Sequence, residues 1–79
     1  MRIALAHLDP VVGDIDGNVA GLLAALAEAR ADGADILLCP ELAVCGYPPR
    51  DLLLRDGFVE ACEQAVQRIA AETGECCTI

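Results

Sequence analysis

Lysine is absent from all 79 residues, and the five arginines stand against thirteen acidic side chains, for a net charge of −8. A nucleic-acid binder gathers cations on one face to displace counterions from phosphates, and five scattered arginines in an acidic chain form no such face. A basic amphipathic helix for an anionic membrane surface is missing for the same reason. These residues alone cannot complete a reaction that depends on an internal lysine. Long apolar runs are lacking too, since none approaches the roughly 18 to 20 residues of a membrane span. The opening run Met1 to Leu8 is closed by Asp9-Pro10, with no small-residue cleavage site of the kind a signal peptide carries. The expectation is a cytoplasmic protein with neither a nucleic-acid nor a membrane partner.

Cysteine is not scarce, but its pattern is. Cys39, Cys45, Cys62, Cys76 and Cys77 are odd in number, contain no C-x-x-C pair, and lie far in sequence from the single His7. Neither a disulfide framework nor a zinc site is built this way. The thiols read as small, buried or partly buried hydrophobes, and no metal is expected.

What is abundant is apolar side chain, 56% of the residues. That content argues against disorder. A chain of this length buries only roughly 60 to 65% of its unfolded surface and is marginal without support. The composition therefore suits one incomplete segment, residues 1–79, of a larger domain.

Residues 2–8 form a short, mostly apolar run that predicts a strand buried on both faces. A turn-rich connector, Val11 to Asn18, offers Asp14, Asp16 and Asn18 as helix caps. Val19, Leu22, Leu23, Leu26 and Arg30 then recur at helical spacing, with Glu28 and Asp32 facing away. Gly33 supplies the stop. Ala34 to Pro40 predicts a second buried strand, giving a parallel β-α-β unit. Glu41 to Arg55 reads as a loop with a helical turn at Asp51 to Leu54. A second amphipathic helix follows, with Phe58, Cys62, Ala65, Val66, Ile69 and Thr73 on one side, ended by Gly74. Glu75 to Ile79 approaches a third strand. The expected class is α/β, in the order β-α-β-α with the start of a third strand. Ending on an open, β-prone edge is a further reason to expect a piece of something longer.

Glu41 follows the proline that ends the second strand. Ligands of open parallel sheets bind at the carboxyl ends of strands, and apolar neighbours on either side would partly desolvate a carboxylate placed there. Such a group can take a proton from a nucleophile. The plainer reading is a capping or salt-bridged loop glutamate. Tyr47, the sole tyrosine, reads as a pocket wall with a hydroxyl donor or as an amphipathic loop anchor. Gly13, Gly17 and Gly21 have the wrong spacing for a phosphate loop, and Asp14 and Asp16 would repel an anion. No histidine or lysine is placed to activate Cys39 or Cys45, which read as packing residues.

The run Cys39-Pro40-Glu41-Leu42-Ala43-Val44-Cys45-Gly46-Tyr47-Pro48-Pro49-Arg50-Asp51-Leu52-Leu53-Leu54 resembles the nitrilase superfamily of carbon-nitrogen hydrolases. More narrowly, it is similar to the amino-terminal glutaminase domains of bacterial glutamine-dependent NAD synthetases. P-E-L after a buried strand belongs to the superfamily at large, and G-Y-P-P-x-D-L-L-L to the synthetases. Arg2 to Ala6 and the run Val12-Gly13-Asp14-Ile15-x-Gly17-Asn18 resemble the start of the same domains. His7, Asp9, Cys39 and Cys45 depart from the usual residues, at positions read as packing.

The resemblance implies a four-layer α-β-β-α sandwich and a Glu-Lys-Cys triad that hydrolyses glutamine, with Glu41 as general base and Tyr47 lining the glutamine pocket. The triad's lysine and cysteine would lie beyond residue 79, so an isolated chain is expected to be inactive and none of its five cysteines is the nucleophile. The implied partners are glutamine as substrate, the rest of the same polypeptide, and a homo-oligomer at full length. No cofactor is implied in this segment; ATP and Mg belong to a separate synthetase domain that amidates nicotinic acid adenine dinucleotide. A stand-alone amidase or carbamoylase, and a non-catalytic assembly module of the same fold, are the alternatives.

Overall fold

A computed structural model describes residues 1–79. Three short strands, β1 (Ile3–Leu5), β2 (Ile36–Leu38) and β3 (Cys77–Thr78), alternate with two helices, α1 (Ile15–Ala31) and α2 (Phe58–Glu72). A 3-10 helix, Arg50–Leu54, precedes α2, where the helical turn is expected. The strands form one parallel sheet in the order β1-β2-β3, with Ile3 opposite Ile36 and Ile36 opposite Cys77. Its ladder continues past the strand ends, through Ala6 N–H to Leu38 O (2.8 Å) and Cys39 N–H to Ile79 O (2.7 Å). The expected β-α-β-α order and third strand are both present.

α1 starts at Ile15, earlier than the apolar stripe alone indicates. Asp14 is the cap, its carboxylate accepting the Gly17 N–H at 3.1 Å, so Asp16 and Asn18 lie inside the helix. The other end closes as a Schellman motif. Gly33 takes a positive φ of 74°, its N–H reaches Arg30 O at 3.0 Å, and the Ala34 N–H reaches Ala29 O at 2.9 Å. Gly74 ends α2 in the same left-handed region.

Two apolar clusters share α1. Leu26 and Ala29 pack with Ala34, Leu37 and Cys76 on one face of the sheet, while Val19 and Leu22 pack with Ala43, Ala65 and Ile69. The central strand is thereby anchored, since Leu37 is 1% exposed, and burying a leucine fully contributes about 1.5–3 kcal/mol. The opposite face of the sheet is bare. Ile3, Leu5, Leu38 and Ile79 are all exposed, which corrects the expectation of a first strand buried on both sides. The two helices cover only the face that carries Ala4, Leu37 and Cys76. Val66 of α2 and Cys77 are exposed as well, against the expected packing roles.

Candidate functional site

Pro40 ends β2, and the chain turns at once into a compact segment, residues 41–45. Its internal bonds are helix-like, from Ala43 N–H to Pro40 O (3.2 Å) and from Gly46 N–H to Leu42 O (2.8 Å). Ala43 and Cys45 point inward and are buried. Glu41, at the first position of the turn, is exposed at the carboxyl end of the central strand. The expected desolvation of Glu41 is therefore not met by these 79 residues, because nothing of the chain closes over that end of the sheet. Glu41 is also neither a cap nor a salt-bridge partner. The helix caps are Asp14 and Gly57, and the chain's one ion pair joins Arg68 to Asp16 at 3.3 Å.

Glu41 stands at the edge of an open groove of about 560 Å³ between this turn, α2 and the carboxyl end of β3, walled by Cys39, Val44, Cys62, Ile69 and Thr78 among others. The groove is predominantly apolar, and Glu41 is its one charged residue, beside the hydroxyls of Thr73 and Thr78, so the carboxylate is the charged group available to a ligand lying there. Burial pushes the Cys39 thiol above its ordinary value. Burial does the same to Cys62, with a smaller upward push from Cys45. Raised thiols stay protonated and are poor nucleophiles, which agrees with their reading as packing residues.

Tyr47 does not line this groove. It is 77% exposed, so it anchors the loop to nothing within these residues. The left-handed Gly46 (φ 81°) and a cis bond to Pro48 flank it, and the ring is presented outward.

The turn is held from below by Asn18, which the sequence offers only as a helix cap. Asn18 is 7% exposed, and it is the one buried polar side chain of the chain. Its Oδ1 accepts the Val11 N–H at 2.8 Å, and its Nδ2 donates to Val11 O at 2.8 Å and to Val44 O at 2.7 Å. The Gly13 N–H adds a bond to Cys45 O at 2.9 Å. A signal existed in the sequence: Asn18 falls three residues after Ile15 and four before Leu22, on the inward stripe of the helix, where asparagine is otherwise disfavoured.

Residues 2–78 match the family model for carbon-nitrogen hydrolases. The chain belongs to the carbon-nitrogen hydrolase family. Among similar members, the glutamine-dependent NAD(+) synthetase of Synechocystis sp. is 53% identical over 68 residues, covering 86% of this chain and 12% of that protein. That of Xylella fastidiosa is 49% identical over 74 residues, covering 92% and 14% respectively. The crystal structure of a glutamine-dependent NAD(+) synthetase from Cytophaga hutchinsonii superposes with a TM-score of 0.94 at 32% identity, covering 99% of this chain and 13% of that one. This carbon-nitrogen hydrolase chain thus spans about one-eighth of the length of the relatives it matches.

Proposed function

We propose that residues 1–79 are the amino-terminal segment of the glutaminase domain of a glutamine-dependent NAD synthetase, with Glu41 as its general base and Tyr47 as a wall of the glutamine pocket. The observation that carries this reading is the place of Glu41, an unpaired carboxylate at the carboxyl end of the central parallel strand, on a turn fixed from two sides. The synthetase relatives support the reaction class.

In the proposed chemistry the Glu41 carboxylate takes the proton of a cysteine thiol, and the thiolate attacks the side-chain amide carbon of glutamine. A lysine stabilises the oxyanion that forms. Collapse expels ammonia, which leaves with the proton Glu41 has held, and a glutamyl thioester remains. Water, deprotonated by Glu41, then releases glutamate and regenerates the thiol. The lysine and the cysteine come from the remainder of a longer polypeptide. The bare sheet face of Ile3, Leu5, Leu38 and Ile79 suits the inner surface of a four-layer α-β-β-α sandwich, covered by a second sheet.

The ammonia is consumed in a separate domain that amidates nicotinic acid adenine dinucleotide at the expense of ATP, with Mg. The helix start in this segment that follows a glycine-bearing turn does not suit ATP. The amino terminus of α1 is closed by the Asp14 carboxylate on the Gly17 N–H, with Asp16 in the first turn, and two carboxylates repel a triphosphate.

The test is the full-length protein carrying Glu41→Gln. It should lose glutamine-driven NAD synthesis while retaining synthesis from free ammonia. Survival of glutamine-driven synthesis at the wild-type rate would remove Glu41 from the role of base.

A further inference from the structure

We propose that Asn18 is a positioning residue for Glu41, acting through the turn that carries it; this rests on Glu41 being the general base. The side-chain amide of Asn18 clasps both backbone groups of Val11, at 2.8 Å each, and extends its remaining donor to Val44 O at 2.7 Å. Val44 lies three residues after Glu41 in the same turn. One buried amide thus joins α1, the 11–13 segment and the Glu41 turn. Around this clasp the fit leaves little freedom, since the Gly13 N–H bonds Cys45 O at 2.9 Å and Gly46 lies flat against Val12. Glu41 itself makes no bond that would hold it, so its place is inherited from the turn. General-base catalysis needs the carboxylate within hydrogen-bond reach of the proton it takes, and a displacement of about 1 Å can cost on the order of a hundredfold in rate.

The clasp depends on the amide's chemistry. Oδ1 must accept while Nδ2 donates twice. Aspartate keeps the size and the acceptor but turns an oxygen toward the carbonyls of Val11 and Val44, which repel it. Serine is too short to span the two segments.

The experiment uses the full-length protein with Asn18→Asp and Asn18→Ser, each made alone and in the Glu41→Gln background. Glutaminase kcat and KM and the thermal unfolding midpoint are measured for each. The expected result is a kcat for glutamine hydrolysis at least tenfold lower in both single variants, with KM within about twofold of wild type and the protein folded. Added to Glu41→Gln, neither substitution should lower the residual rate further, because positioning acts only through the carboxylate. An unchanged kcat would overturn the proposal, as would an equal fold-loss in the two backgrounds. If neither variant folds, Asn18 is a stability residue and the positioning role is likewise overturned. Failure of the base assignment is separately visible, since Glu41→Gln alone would then leave glutamine hydrolysis intact.

Discussion

Gly46 meets Val12 backbone to backbone: a Cβ on Gly46 would lie 2.7 Å from the Val12 Cα and 2.8 Å from its nitrogen. Gly46 also holds a φ of 81°, where side chains are strained. The two penalties have one origin, the close docking of the Glu41 turn on the 11–13 segment. Backbone cannot step aside as a flexible side chain can.

Gly46→Ala is therefore expected to destabilise the folded full-length protein by about 2–4 kcal/mol, from left-handed strain together with overpacking. Denaturant titration measures this, and glutamine-driven synthesis should fall with it while ammonia-driven synthesis changes less. An unfolding midpoint equal to wild type would mean that the two segments separate freely.

Gly74→Ala offers the contrast. Gly74 is also left-handed (φ 57°), but the nearest atoms to its missing Cβ are the Arg30 guanidinium, at 2.9 Å for Nη2. That group is the far end of a flexible, exposed side chain whose one bond, to Glu72 O at 3.1 Å, is solvent-accessible. Only the conformational cost of about 1–2 kcal/mol should remain. A loss as large as that of Gly46→Ala would show that the Arg30 contact is rigid.

These two glycines also mark what the sequence can and cannot tell. Gly33 and Gly74 end amphipathic stripes, so their role as stops is legible from local pattern. Gly46 lies in a loop without period, and its constraint comes from Val12, 34 positions earlier, which no local pattern encodes. Asn18 is the same case, because a capping-type residue beside a helix start has a local explanation that conceals its reach to Val44. The apolar run of residues 2–8 announces a strand but does not say which face its own chain covers. The place of Glu41 at a strand end is legible because strand end, proline and carboxylate are adjacent in sequence. Its exposure is not legible there, because desolvation depends on what lies above the loop rather than on the residues flanking it.

The raised thiols of Cys39 and Cys62 have an alkaline consequence. Each folded-state pKa lies above the unfolded one, so the folded chain binds the proton more tightly. Their contribution is fully present below the ordinary thiol value of 9.0 and is lost as pH rises from there through the folded values. Stability at pH 10 should thus fall relative to pH 8, and the double variant Cys39→Val, Cys62→Ala should flatten that decline. Denaturant midpoints at the two pH values measure it. An identical decline in the variant would place its cause elsewhere.

The bare sheet face permits a prediction whose sign reverses with context. Leu5 is 63% exposed here and shares the bare face with Ile3 at 55%, its strand neighbour Leu38 at 40% and, one strand further on, Ile79 at 66%, an apolar surface of the kind that drives association. In a chain of residues 1–79 produced alone, Leu5→Glu should reduce aggregation and binding of hydrophobic dyes, and leave stability within about 0.5 kcal/mol, as surface substitutions do. In the full-length protein the proposed second sheet covers that face. The same substitution would bury an unpaired carboxylate and should destabilise by several kcal/mol, roughly 3–5 where a buried charge is left without a partner. Light scattering on the short chain and denaturant titration on the long one give the two readings. A full-length Leu5→Glu protein as stable as wild type would mean that no second layer closes over β1, and the four-layer reading would fall with it.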